Sequence, residues 1–550
     1  MIAAKAAGRT TLLVMGFVLL SRVLGVVRDI LIGQLFGQNI TTDIYTAAFR
    51  IPDILQYLVA GGALATVFVP VFTQYWSEGK EKDAWRIFGA VMTLVAIVAS
   101  LLVIVMELAA GPIARAMNPA LGLPSTAAPS HVSFTESVRG FFQGLFSPTL
   151  GSAEQQRAWE QVARLSRILL PAQWCFFVGG LMMGTLHARQ RFLVPALGPI
   201  LYNGGIIVAG VLLHKTLGIA ALCWGALFGA LCGNFLLPLW ELRRTGAAFW
   251  IGFDTRHPGV RKVGALMLPA LLGLSLSQLG FWITGSYASG EGHLSALRNA
   301  YNLTQAPIGI FAQASAIVLF PTIARLAADN DMYAFRRELH YGVRRILFLT
   351  VPASLLMATL AQPIIAAIYL KGKFTPADVP VAAAALWCYS VGTFAWSAQA
   401  VLARGFYALQ DSKTPTLITT AMVALFVALC STLPGIGALG YRGLALALSL
   451  AGTLNMLIFL FLLQRRTGGL DLRGLAIATV RITLAALIGG AVALLYLHLF
   501  WPGPTTRLNG IFTTVVAGTA ALAAYGGACL LLKVPELRTI RTMLRKAPSP

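Results

Sequence analysis

Long apolar runs separated by short polar turns fill this chain. Reading every run of roughly 20 or more apolar residues as a membrane-crossing helix places about fourteen spans, at residues 10–36, 44–75, 84–113, 161–187, 193–214, 218–242, 262–289, 295–327, 342–370, 379–408, 415–434, 440–464, 474–499 and 509–533. The predicted fold class is therefore an all-α polytopic membrane protein.

The pattern repeats within the chain. VFVPVF around Pro70 matches VLFPTI around Pro321, and Gly111-Pro112-Ile113 matches Gln362-Pro363-Ile364, both at an offset of 251 residues. Ala188-Arg189-Gln190 with Pro195 matches Ala408-Leu409-Gln410 with Pro415 at 220, and Arg243-Arg244-Thr245-Gly246 matches Arg465-Arg466-Thr467-Gly468 at 222. The drop in offset coincides with an extra loop, Ala114 to Glu160, in the first half. Two lobes of six helices follow (1–246 with the 114–160 insertion, and 255–468), with two more helices at 470–535 and a basic tail at 536–550. An even number of spans per repeat gives both halves the same orientation, with a pseudo-two-fold along the membrane normal. Within the loop, the apolar patch GFFQGLF is expected to belong to a plain extracytoplasmic surface loop.

Composition narrows the class further. The chain has 550 residues, 57% hydrophobic and 11% charged, with mean hydropathy +0.74. A soluble domain would carry about 25% charged residues. The formal charge of +22 comes from basic residues scattered between apolar runs, as the positive-inside rule predicts, and no basic patch of a nucleic-acid binder is present. Arginines and lysines gather in alternate turns and at both ends, which orients the chain with both termini cytoplasmic. The first run, behind Lys5 and Arg9, is too long and too charged for a cleaved signal and is expected to stay as the first span. The six cysteines sit in apolar runs without metal-ligand spacing and read as small packing residues. No metal site, cofactor motif or catalytic constellation is found.

Candidate chemistry concentrates between Ser21 and Pro70, where Arg22, Arg28, Asp29, Asp43, Arg50 and Asp53 lie inside or beside apolar spans. A charge at bilayer depth costs about 2.5–3.5 kcal/mol on the gentlest scale. From a helix start near Thr11, Arg22 is about 16 Å and Arg28 about 25 Å along the axis, against a hydrocarbon core of about 30 Å. Two guanidiniums at that depth suit a hydrated cavity receiving phosphate or carboxylate; the competing reading pairs them with Asp29, Asp43 and Asp53 as braces. Arg22 and Asp29, seven residues apart, share a helix face. Glu107, the one acid in the third span, is a candidate coupling-ion or proton site.

SRVLGVVRD (Ser21–Asp29), TD followed by AFRIPDIL (Thr42–Leu55), AxxxxFVP (Ala63–Pro70), APIGIF (Ala306–Phe311), KGKFT (Lys371–Thr375) and GFYALQDSKTP (Gly405–Pro415) closely resemble the MurJ (MviN) family of lipid II flippases, within the MOP transporter superfamily. The resemblance covers nearly the whole chain in order. It implies fourteen spans, two six-helix lobes with the last two helices forming a groove, and movement of the undecaprenyl-diphosphate-linked peptidoglycan precursor from inner to outer leaflet of the bacterial cytoplasmic membrane by alternating access. Arg22, Arg28, Asp29 and Asp43 match charged family positions at the cavity or gate. Three places depart: Gln56 where an arginine is expected, Gly61 where a glutamate is expected, and Tyr301-Asn302 in place of an Asp-Arg pair. Arg298, one turn before Asn302, could replace the lost charge, and Gln56, Asn302 and Gln305 would contact sugar or peptide.

The expectation is a flippase for lipid II or a similar polyprenyl-diphosphate-linked glycan. It is a transporter, not an enzyme, driven without cofactor by membrane potential or an ion gradient; its partners are membrane lipids and cell-wall synthesis enzymes, and it takes no nucleic acid. Two alternatives are a MOP-type exporter of another polyprenyl-linked oligosaccharide or of amphipathic drugs, and a non-transporting membrane scaffold for cell-wall enzymes.

Overall fold

The computed structural model describes residues 2–55, 63–119, 151–189, 191–247, 254–265, 292–411, 413–436 and 439–537, with the isolated positions 121, 143 and 252. Among the described residues every regular element is helical. By their internal contacts they form two units, one ending before Gly292 and one running from Gly292 onward.

The first unit contains α1 (Ile2–Phe36), α2 (Ile40–Leu55), α3 (Ala63–Ser77), α4 (Glu81–Met117), α5 (Ala153–Ala188), α6 (Leu193–Leu217) and α7 (Ala220–Arg244). The second contains α8 (His293–Pro307), α9 (Ala314–Ala328), α10 (Met332–Thr359), α11 (Ala361–Tyr369), α12 (Asp378–Ala408), α13 (Lys413–Thr432), α14 (Tyr441–Thr467), α15 (Leu472–Phe500) and α16 (Arg507–Leu531). Ten of the described helices are long and apolar enough to cross a membrane. The expected spans at 10–36, 44–75 and 295–327 also hold helix, whereas most of 262–289 lies outside the described residues. Leu101, Ile104, Val105 and Leu108 on α4 are exposed, as expected for side chains that lipid rather than protein covers.

Several helices start earlier than the apolar-run reading, α1 at Ile2 rather than 10 among them, and the early starts of α5 and α10 each carry a side-chain cap. α5 begins at Ala153, not 161, because Ser152 and Gln155 form a capping box: Ser152 Oγ accepts from the Gln155 amide at 3.3 Å, and Gln155 Oε1 accepts from the Ser152 amide at 3.0 Å. Polar residues in the first turns hid this start from a count of apolar positions. α10 begins at Met332, not 342, capped by the Asp331 carboxylate on the Ala334 amide at 2.9 Å. The loop between α4 and α5 is correspondingly shorter than 114–160, and its apolar patch lies outside the described residues apart from Gln143.

Prolines inside helices leave carbonyls that partner helices satisfy. Pro52 has no N–H for the Ala48 carbonyl one turn earlier, and the buried Ser166 hydroxyl of α5 points at that carbonyl, 2.9 Å away, while also reaching Val162 O at 2.8 Å. Elsewhere in the first unit, α6 and α7 pack glycine on glycine: a Cβ on Gly205 would lie 2.5 Å from the Gly225 carbonyl oxygen, and one on Gly233 2.7 Å from the Gly198 carbonyl oxygen. Small residues let membrane helices approach this closely. α7 then passes through a π turn at Leu231–Leu236.

In the second unit, α15 and α16 join a core with α10, α12 and α14 through Phe348, Phe406, Phe459, Ile482 and Tyr525. Leu360, at the break between α10 and α11, packs with Ala493, Ala517 and Ala521.

The duplicated motifs occupy corresponding places within their own units. Gly246 and Gly468 both adopt left-handed backbone, at φ +78° and +77°, the conformation for which glycine carries no Cβ penalty. In the first unit Arg189 Nη1 donates to Thr245 O at 3.0 Å and Thr245 Oγ1 at 2.8 Å; in the second, Arg466 pairs with Asp411. In each case the end of the fourth helix of the repeat is tied to the end of the sixth.

Candidate functional site

The charged stretch of α1 sorts into two environments. Arg28 is held on two sides: Nε and Nη2 donate to Asp29 Oδ1 at 2.9 and 2.8 Å, and Nη1 donates to Asn203 Oδ1 of α6 at 3.0 Å. Although Arg28 and Asp29 leave the helix about 100° apart, the long arginine side chain closes that angle. Asn203 is itself fixed by its Nδ2, which donates to Pro199 O at 3.0 Å and reaches Ser21 O at 3.5 Å. Three of the five guanidinium N–H donors are thus engaged, and the ring of contacts sets the orientation of the fork. Arg22, two turns earlier, is exposed and makes no hydrogen bond or ion pair among the described residues. Asp29 offsets the charge of Arg28, so the positive charge left over is that of Arg22.

Arg50 lies elsewhere. Its buried side chain donates through Nη1 to Met117 O at 3.1 Å and Asn118 Oδ1 at 2.7 Å. Asn118 O in turn accepts from Trp159 Nε1 at 2.7 Å, and Asn118 Nδ2 donates to Ala114 O at 3.0 Å. This network ties α2 to the end of α4 and the start of α5. Asp43 is buried in the first turn of α2, where an acid faces the positive helix end. The turn before it is built by Asn39, whose Oδ1 accepts from the Thr41 amide at 2.9 Å while the Asn39 amide donates to Thr42 Oγ1 at 3.0 Å. Gln56 and Gly61 lie outside the described residues.

On α8, Arg298, Tyr301, Asn302 and Gln305 recur at three- and four-residue steps and form one half-buried stripe. Tyr301 hydrogen-bonds to the Gln305 side chain and meets two aromatics of α12 edge-on, Tyr389 at 5.7 Å and Trp396 at 6.3 Å between centroids. α8 ends at Pro307, and Ile308–Gln313, most of APIGIF, forms a π turn before α9. Such turns recur at functional sites.

Glu107 on α4 is half-buried, and its carbonyl accepts from Arg167 Nε at 3.2 Å. One turn on, a cavity of about 220 Å³ is lined by Gly111, Arg115, Gln156, Trp159, Glu160 and Arg167, among others. Five of the six free cysteines are buried, Cys232 being the exposed one, and among the described residues no group of three or more His, Cys, Asp or Glu could hold a metal ion.

The sequence profile of the lipid II flippase family MurJ matches residues 32–505. The chain belongs to the MurJ lipid II flippase family. Curated MurJ relatives agree in length as well as sequence. The lipid II flippase MurJ of Burkholderia cenocepacia is 29% identical over 466 residues, 83% of this chain and 84% of the relative. The probable lipid II flippase MurJ of Haemophilus influenzae is 30% identical over 494 residues, 87% of this chain and 90% of the relative. Among solved structures, a lipid II flippase MurJ in an inward closed conformation superposes with TM-score 0.73 at 21% identity, covering 95% of this chain and 99% of that one. An inward-facing multidrug resistance MATE transporter of the MOP superfamily superposes with TM-score 0.64 at 13% identity, covering 83% and 98%. The chain therefore shares the fold of both structures.

Asn203 is the residue at this site that sequence reasoning passed over. Its only local signal is a polar amide in the apolar run of α6; its partner lies 175 residues away.

Proposed function

We infer that the protein is a lipid II flippase that moves the undecaprenyl-diphosphate-linked precursor from the inner to the outer leaflet. MurJ membership over most of the chain carries this reading. The feature that gives it chemistry is the fixed Arg28 fork beside the uncompensated Arg22, about 9 Å apart along α1.

In the proposed mechanism Arg22 and the free N–H donors of Arg28 receive the diphosphate, because guanidinium forks match phosphate oxygens and stay charged at any cellular pH. Asp29 and Asn203 position Arg28, so little rotamer entropy is lost when the anion arrives. Within the second unit, the amides of Asn302 and Gln305 and the phenol of Tyr301 on α8 are groups chemically suited to sugar or peptide. Transport proceeds by alternating access in the bacterial cytoplasmic membrane, with both termini cytoplasmic. An inside-negative potential assists outward passage of an anion by about 2.3 kcal/mol per charge per 100 mV, so no nucleotide is required.

The test is lipid II accessibility at the outer surface of cells depleted of their own flippase and carrying this protein, with Arg22→Ala and Arg28→Ala at matched membrane levels. Rescue by the parent and failure of both variants is expected. A well-inserted parent that does not rescue would overturn the substrate assignment, and full rescue by both variants would remove the arginines from the mechanism.

A further inference from the structure

α15 carries an arginine that the diphosphate reading does not use. Arg481 interrupts an apolar helix, and Gly474, Ile477, Ala478 and Arg481, spaced to share one helix face, line a cavity of about 160 Å³. Gly474 and Ala478 hollow it, Arg344 of α10 forms another wall, and Val534 and Pro535 close it.

Its charge is unbalanced. Arg344 Nε pairs with Glu536 Oε1 at 2.6 Å, whereas Arg481 makes no hydrogen bond or ion pair among the described residues. Asp471, the nearby acid at the start of α15, is occupied as a helix cap on the Gly474 amide at 2.8 Å. Two guanidiniums thus line one cavity, and among the described residues only that of Arg344 has a carboxylate partner.

Position identifies what would neutralise the second. The exposed Ile477, Val480 and Leu484 beside Arg481 place it on a lipid-facing surface. α15 has 29 residues, about 43 Å, so about 6–7 Å extends beyond a 30 Å hydrocarbon core at each end. Arg481, nine residues in, then lies about 7 Å below the boundary, within snorkelling reach of the headgroup layer. The cavity, about 160 Å³, has room for a phosphate group.

We propose that the Arg344–Arg481 cavity binds the phosphate of an anionic glycerophospholipid, separately from the transported lipid. Arg481 supplies the charge-assisted hydrogen bonds, Arg344 adds its remaining donors, and the acyl chains lie along Ile477, Val480 and Leu484.

Binding, not transport, tests this, so the outcome is independent of the flippase assignment. Full-length protein in detergent is titrated with phosphatidylglycerol, and bound lipid is counted by native mass spectrometry. Arg481→Gln is expected to lower occupancy at least about tenfold, the loss of one charged hydrogen-bonding partner. Arg481→Lys should keep part of it, Arg473→Gln, outside the cavity, should keep all of it, and phosphatidylcholine should not substitute. Helical circular dichroism confirms that each variant folds. Unchanged phosphatidylglycerol occupancy in Arg481→Gln, or equal occupancy by phosphatidylcholine, overturns the proposal; should Arg481→Gln not fold, undiminished occupancy in Arg481→Lys together with equal phosphatidylcholine binding does so. Displacement of the lipid by millimolar inorganic phosphate would overturn the lipid assignment in favour of a free anion.

Discussion

Tyr525 of α16 donates its hydroxyl to the Phe348 carbonyl of α10 at 2.8 Å, and that carbonyl is the one Pro352 cannot serve, because proline has no N–H to offer it. A residue of α16 thus completes a helix that began almost 200 residues earlier. Tyr525→Phe removes the donor and leaves a buried acceptor unsatisfied, at a cost of about 1–3 kcal/mol. A lower Tm in detergent with lipid II accessibility retained in cells is expected; an unchanged Tm would show that the hydroxyl is dispensable.

Asn203 should matter through Arg28. Asn203→Leu leaves Arg28 paired with Asp29 but frees Nη1, so the guanidinium loses one of its two anchors. Several-fold lower lipid II accessibility at unchanged membrane levels is expected, with Asn203→Gln recovering more than Asn203→Leu. Equal behaviour of the two variants would assign Asn203 to packing alone.

Arg50 is expected to act on stability. Arg50→Met keeps most of the volume but leaves Asn118 Oδ1 and Met117 O without their donor, and hydrogen bonds to charged groups contribute about 1.5–3 kcal/mol each. Unfolding at lower temperature and faster proteolysis between α4 and α5 should follow.

Acid should loosen the turn between α12 and α13. Burial alone would raise the Asp411 carboxyl, but the Thr414 hydrogen bonds and Arg466 outweigh it and hold it below the usual carboxylate range. A depressed folded value means the stabilisation is fully present above the unfolded value of about 3.9 and is lost as pH falls through the folded one. Because Arg466 is half-exposed, the effect is a few tenths of a kcal/mol to about 1 kcal/mol. The Tm difference between the parent and Asp411→Asn should be constant from pH 5 to 8 and shrink below about pH 4.

Much of this architecture could be read from the chain because lipid imposes a long, simple signal: every backbone polar group must be satisfied internally, so runs such as 440–464 can only be helix. The duplication was legible in Gly246 and Gly468 because a left-handed cap restricts the residue at one point. Signals that are weak or non-local were harder to see. The start of α5 lies in polar residues, where apolar counting is blind. The π turns at Leu231–Leu236 and Ile308–Gln313 shift backbone register without a composition of their own. Arg28's second partner depends on how α6 lies against α1, and nothing near Arg28 encodes that. Arg481 is a different case, since a lone charge in an apolar run is a signal in itself; its meaning came from the cavity wall that Arg344 provides.

The glycine crossing of α6 and α7 has a mechanical consequence. Backbones separated by less than a side chain cannot slide past each other without collision, nor part without exposing polar backbone to lipid. During any conformational cycle this pair must travel as a single rod, and bending must be taken up elsewhere in its unit, at joints where a helix is already broken or unwound. A bulky residue at Gly225 would therefore alter the rod itself, and would be felt in every conformation alike.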